Sequence, residues 1–220
     1  MSAQHQEQPG GVPTNLTPQQ YLERERKAEY RSEFIGDKLY PMEWEAAARH
    51  MGLDPRAMAG AQRGHNRITA SLTRLLGNVL LGSPCEPFAG DMRVKTNLAG
   101  NYAYPDVVVA CEPHFEDEGF DTLTNPLVIV AVLSPATQER DRAEKWALYQ
   151  QLPTLRDYLL VTTAAPRVEH HTRQDAGTWL YRSVEGLEAS LALASIGCTL
   201  ALRDIYERIT FVASDTSNEN

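Results

Sequence analysis

The sequence predicts a single α/β domain with a sheet flanked by helices, and three observations carry that expectation. Leu127-Val128-Ile129-Val130-Ala131-Val132-Leu133 is an unbroken apolar run closed by Ser134-Pro135, the mark of a strand covered on both faces. Ile68, Leu72, Leu75, Leu76 and Val79 recur at three- and four-residue spacings, which puts one apolar stripe on a helix over 64–81. The length of 220 residues suits one large domain. Such a domain buries roughly 70% of its unfolded surface and needs neither disulfides nor a structural metal to fold.

The elements follow in order. Residues 1–16 are polar with scattered Gly and Pro and read as a disordered tail. Thr17-Pro18-Gln19-Gln20 opens a helix: Thr17 caps it, Pro18 suits its first position, and Gln20 reaches back. Charged residues through Glu29 place that helix on the surface. Glu33 to Tyr40 reads as two short strands around Gly36-Asp37. Residues 41–57, rich in Ala and Glu, read as an inserted short helix. Phe88 to Val94 and Tyr104 to Cys111 read as strands around a turn at Ala99-Gly100-Asn101, and 112–126 as an acidic, irregular stretch. After the apolar run a helix is expected over 138–151. Strands follow over 158–162, 167–171 and 178–182, then a short helix near 202–209. The folded domain is thus expected over 17–210, with a C-terminal tail at 211–220.

Composition bounds the function. With 29 acidic against 21 basic residues the chain carries a net charge of -8. That weighs against a simple nucleic-acid binder, whose affinity comes largely from Lys and Arg displacing phosphate counterions. It leaves room for a local basic groove or bound divalent cations. No apolar run approaches the ~20 residues that span a bilayer, and the N-terminus lacks a basic-then-apolar signal, so a cytoplasmic, non-membrane protein is expected. The three cysteines, Cys85, Cys111 and Cys198, are odd in number and scattered, which argues for reduced thiols. No Gly-rich phosphate loop is present, and no Cys/His spacing supports zinc. His170 and His171 are adjacent in a strand and point to opposite faces. Ser134 lacks the Gly-x-Ser-x-Gly elbow of a nucleophile.

One constellation can carry chemistry. Pro105-Asp106-Val107-Val108-Val109 opens a strand, the apolar run follows, and then comes Asp141-Arg142-x-x-Lys145-x-x-x-Tyr149. Asp141, Lys145 and Tyr149 are successively four apart and project from one helix face. Packed across the sheet, that helix could aim Lys145 toward Asp106. A carboxylate holding Mg²⁺ beside a lysine ammonium suits phosphodiester hydrolysis. The plainer reading makes Asp141–Lys145 an exposed i,i+4 ion pair, and Tyr149 a packing residue.

Together these pieces resemble a known pattern. T-P-x-x-Y-L at 17–22, R-S-E-F-I at 31–35, M-A-G-A at 58–61 and G-H-N-R-I at 64–68 are followed by D-M-R-V at 91–94 and Y-P-D-V-V-V at 104–109. V-L-S-P-x-T at 132–137, D-R-x-x-K-x-x-x-Y at 141–149 and P-R-V-E-H at 166–170 complete it. Over roughly residues 17–209 the chain resembles Uma-two, a large bacterial family of restriction-endonuclease-like proteins in the PD-(D/E)xK nuclease superfamily. The resemblance implies a mixed central sheet flanked by helices and a Mg²⁺- or Mn²⁺-dependent DNA endonuclease. It makes Asp106 a metal ligand and Lys145 the catalytic lysine. Glu33 and His65 match further catalytic positions, Asp91 a second metal position, and Asp141 another acidic one. Where the family usually carries Glu, in E-V-L-S-P, this chain has Ala131, which cannot ligate a metal. Two expectations therefore stand side by side: an impaired endonuclease acting on DNA, or an inactive module of the same fold that binds nucleic acid or protein. A homodimer is compatible with either.

Overall fold

The computed structural model describes residues 12–42, 59–96, 100–119, 121–134, 138–175 and 177–211. Its N-terminal half runs β1 (Val12–Pro13), α1 (Pro18–Glu25), β2 (Ser32–Ile35), β3 (Lys38–Pro41), α2 (Ala59–Leu80), β4 (Cys85–Ala89), β5 (Arg93–Lys95), β6 (Tyr102–Ala103) and β7 (Val107–Cys111). Next come β8 (Thr122–Leu123), β9 (Val128–Leu133) and a helical arm. The arm consists of α3 (Gln138–Arg140), a π turn (Asp141–Lys145) and α4 (Trp146–Tyr149). The chain closes through β10 (Asp157–Thr162), β11 (Arg167–Arg173), β12 (Trp179–Glu185), β13 (Ser190–Leu193), β14 (Cys198–Ala201) and α5 (Leu202–Ile205).

The apolar run becomes β9, inside a six-stranded mixed sheet of order β12-β11-β10-β9-β7-β4. It lies parallel to β10 and antiparallel to β7, and all six of its residues are buried. The two-residue period of a strand divides them between two layers. Val128, Val130 and Val132 pack with Val107, Val109 and the α2 stripe of Ile68, Leu72, Leu76 and Leu80. Ile129, Ala131 and Leu133 pack with Val108, Tyr158 and Tyr149 of the arm. The sheet is thus covered by α2 on one face and by the arm on the other.

A second sheet, β1-β3-β2-β6-β5-β8, flanks this core. Thr17 and Gln20 form the expected capping box of α1. Tyr21 of that helix stacks on Phe34 and Tyr102 at 5.1 and 5.3 Å between ring centres. The β2–β3 turn has Gly36 and Asp37 both at positive φ, the geometry that two-residue hairpins prefer.

Several expectations change. The strand expected over 88–94 is two strands in different sheets, because the chain turns at Gly90 with φ +54. The strand expected from Tyr104 likewise begins only at Val107, with Pro105-Asp106 separating it from β6. Within the expected tail, Val12 and Pro13 pair with Leu39 and Lys38, and the Thr14 N–H donates to the Asp37 carbonyl at 2.9 Å. The β13–β14 hairpin and β8 carry no strand expectation in the sequence reading. Of the expected helical insertion, only Pro41 and Met42 are described; 43–57 lie outside the described residues, as do 1–11 and 212–220 of the tails. The expectation of three free thiols is also corrected. Cys85 and Cys111 form a disulfide, because β4 and β7 pair in a register that sets them directly opposite. Cys198 is free and buried.

Candidate functional site at the head of the β7 strand

Asp106 stands immediately before β7, where the chain leaves the smaller sheet for the larger. Extending the β7–β9 register by one residue beyond Val107↔Val130 sets Asp106 across from Ala131. Asp106 is held at three points, two on its carboxylate and one on its backbone. Its Oδ2 accepts the Val132 N–H at 2.7 Å, its Oδ1 lies 3.0 Å from His65 Nε2 on α2, and its own carbonyl accepts the Gly90 N–H at 2.9 Å. Asp106 and His65 each keep about a quarter of their side-chain surface exposed, 25% and 26%. Burial pushes the His65 imidazole toward neutrality, but the hydrogen bond and charge of Asp106 outweigh it and raise the pKa above the ordinary value.

Lys145 lies in a second, drier cluster. Its ammonium is 2.7 Å from Glu33 Oε1 and 3.0 Å from Asp141 Oδ1. Glu33 is fully buried on β2. It also accepts the Tyr104 N–H at 3.2 Å and pairs with Arg140 at 2.9 Å. Burial pushes the Lys145 ammonium toward its neutral form; the Asp141 and Glu33 carboxylates outweigh this and hold its pKa well above the ordinary lysine range. Two carboxylates and two cations balance, as buried charges must. The π turn presents Asp141 and Lys145 inward together, a distortion that often marks functional segments.

Tyr149 links the two clusters. Among the described residues its buried hydroxyl has no hydrogen-bond partner, and burial raises its pKa. The charges around it are Lys145, Glu33, Asp141 and Asp106. An open cleft of ≈ 630 Å³ starts at His65 and Asp106 and is lined by Asn66, Thr69, Ala70, Thr73 and Arg74 of α2, with Ala89 and Gly90.

The structure therefore joins His65 to Asp106, and Glu33 and Asp141 to Lys145. The exposed i,i+4 reading of Asp141–Lys145 fails because both side chains are buried, at 4% and 7% exposed. The ion partners of Lys145 are Glu33 and Asp141 rather than Asp106. Asp91 is largely exposed and pairs with Arg31. Among the described residues no group of three or more His, Cys, Asp and Glu side chains converges as a metal site. His170 is a satisfied core histidine, 2.6 Å from Asp157, whereas His171 stacks on Trp146 at 4.3 Å. Arg140 carries no signal in the sequence for its part in the network. The unpaired Tyr149 hydroxyl was signalled only by its spacing four beyond Lys145.

A buried strand central in a mixed sheet, with a carboxylate at the head of its neighbour and a lysine on the helix that follows, defines a restriction-endonuclease-like α/β protein. The model of the family described as "Putative restriction endonuclease" (Uma2) matches residues 54–203, and the chain belongs to that family. An uncharacterized protein of Synechocystis sp. is 31% identical over 196 residues, covering 89% of this chain and 94% of the relative. A second uncharacterized Synechocystis protein is 35% identical over 177 residues, covering 80% and 91%. In fold the chain is similar to the crystal structure of a "putative nuclease belonging to DUF820" from Anabaena variabilis. That match has a TM-score of 0.64 at 14% identity and covers 87% of this chain and 97% of the other. Among the described residues no helix is long and apolar enough to cross a membrane.

Proposed function

We propose that this chain is a metal-dependent DNA endonuclease in which the metal site is incomplete, so that cleavage is weak. The observation that carries this reading is the juxtaposition of Asp106 with Ala131 across the β7–β9 register. A carboxylate at 131 would emerge beside Asp106, where the family pattern places the second ligand. Mg²⁺ is usually held by one or two carboxylates plus water and substrate phosphate. Asp106 fits as one such ligand for Mg²⁺ or Mn²⁺, but the donor set falls short of the pair: one carboxylate oxygen already takes the Val132 N–H, the other faces His65, and position 131 offers a methyl group. Asp91 is a candidate substitute; it follows Gly90, whose N–H is tied to the Asp106 carbonyl. The ion, when bound, would supply Lewis-acid polarisation of the phosphate.

The chain's own residues have separable parts. His65 holds a proton between its Nε2 and Asp106, facing the cleft where a phosphodiester would lie. Glu33 is too deeply buried to meet substrate and acts as a positioning residue, fixing Lys145 and through it the arm. Lys145 contributes a permanent positive charge behind the carboxylate edge. The second reading, an inactive nucleic-acid-binding or protein-interaction module, is favoured by the same Ala131. Nicking of supercoiled plasmid in Mg²⁺ or Mn²⁺ separates them. Weak nicking, abolished in Asp106→Ala and strengthened in Ala131→Glu, is expected. No nicking by either the native chain or Ala131→Glu would leave the binding module as the better account.

A further inference from the structure

We infer that the cleft-facing side of α2 is the surface that grips the DNA backbone, with Arg74 a phosphate contact about four nucleotides from the Asp106 edge. The inference deepens the nuclease reading and rests on it. Its first support is the distribution of charge. The chain as a whole is acidic, at -8, yet the 22 residues of α2 contain Arg63, Arg67 and Arg74 and no Asp or Glu. Three cations with no acidic residue on one helix of an acidic protein give a local field that attracts a polyanion.

The second support is the cleft. His65, Thr69 and Thr73 recur every four residues and so share one face of α2, and with Asn66 and Arg74 they line the cleft. Within this lining the Asn66 amide and the Arg74 guanidinium are N–H donors, the chemistry of phosphate-oxygen recognition. The Thr73 hydroxyl donates to the Thr69 carbonyl at 2.8 Å, so its proton is used within the helix and the donors toward a phosphate are Asn66 and Arg74.

Distance supplies the third support. From His65 to Arg74 is nine residues, about 13 Å of helix at ~1.5 Å per residue. Over that length one strand of B-DNA presents about four phosphates, spaced ~3.4 Å along its axis. Arg74 pairs with Glu207 at 3.2 Å, both side chains half exposed. A phosphate must displace that carboxylate, so Glu207 is a built-in competitor.

The test is fluorescence anisotropy of a labelled DNA duplex with the full chain in EDTA, over a series of salt concentrations. Arg74→Ala is expected to weaken binding and to flatten the slope of log K against log salt by about 1, the signature of one lost phosphate contact. Glu207→Gln is expected to tighten binding, the opposite direction, which a merely structural ion pair would not produce. Arg203→Ala, at an exposed pair with Glu188, is expected to leave the slope unchanged. An unchanged slope in Arg74→Ala, equal losses in Arg74→Ala and Glu207→Gln, or an equal loss in Arg203→Ala overturns the inference. Because EDTA removes cleavage, this failure is read in anisotropy and failure of the nuclease reading in plasmid nicking.

Discussion

Replacing Lys145 by Met removes the ammonium, with its charge and its three donors, from a side chain only one atom shorter. It leaves Glu33 fully buried and Asp141 nearly so, with Arg140 as the one remaining cation of the network. Breaking a buried ion pair by removing one partner costs about 3–5 kcal/mol, because the orphaned carboxylate has lost its water as well. An exposed i,i+4 pair would cost only ~0.2–0.5 kcal/mol. The two cases differ roughly tenfold, so one measurement decides between them. In a domain of this size each kcal/mol moves the melting temperature by about 2–4 °C, so a loss of roughly 6–20 °C is expected. Urea unfolding followed by tryptophan fluorescence gives the free energy directly. The companion variant Glu33→Gln should relieve the orphaned carboxylate, so the double variant should show a favourable coupling of about 1–3 kcal/mol. A Lys145→Met variant within ~0.5 kcal/mol of the native chain, the range of ordinary surface substitutions, would refute the buried network and with it the positioning role of Glu33.

Three further outcomes are expected. Asp121 is bound by Arg26 and Arg93; burial pushes its carboxyl up, but the arginines prevail and bring it down from 3.8 to about 2. A lowered carboxyl stabilises the fold above its ordinary pKa and loses that contribution as pH falls. Asp121→Asn should therefore cost about 1 kcal/mol at pH 7, after discounting for its exposure, and the difference should vanish between pH 3.8 and about 2 in acid titrations of stability. Thr17→Ala should destabilise by about 1 kcal/mol through loss of the capping box, read by thermal melting; no change would mean the end of α1 frays anyway. Reducing the Cys85–Cys111 disulfide, which closes a 26-residue separation, should cost about 3 kcal/mol. Alkylation of both thiols without reductant would contradict the cross-strand bond.

Much of the fold was legible in the sequence because its strongest signals are local. The β9 run, the α2 stripe and the α1 capping box each sit within one element and formed close to where expected, except that Val79 of the stripe is exposed and Leu80 is buried in its place. What escaped was set by pairing between distant segments. The register that puts Cys85 against Cys111 depends on β4 meeting β7, and no spacing within either strand announces it. Gly90 looked like an interior strand residue, yet its positive φ sends the chain into another sheet. The site divides the same way. Asp106 and Lys145 could be singled out from Pro-Asp before an apolar strand and from the four-residue spacing on the arm. That Lys145 would take its second partner from Glu33, 112 positions earlier by number, is a tertiary fact. So is the insertion of Arg140 into the same network.

The most direct test of the account is a calorimetric titration of Mn²⁺ and Mg²⁺ into the native chain and into Ala131→Glu. If Asp106 and position 131 are the two halves of one metal site, restoring the carboxylate should tighten binding by at least about tenfold, since even changes to supporting groups typically move metal affinity 10–100-fold. The added binding should disappear in the double variant Asp106→Ala/Ala131→Glu. Equal affinities for the native chain and a folded Ala131→Glu would contradict the account, and would mean that the edge shared by Asp106 and Ala131 is not where the metal is held.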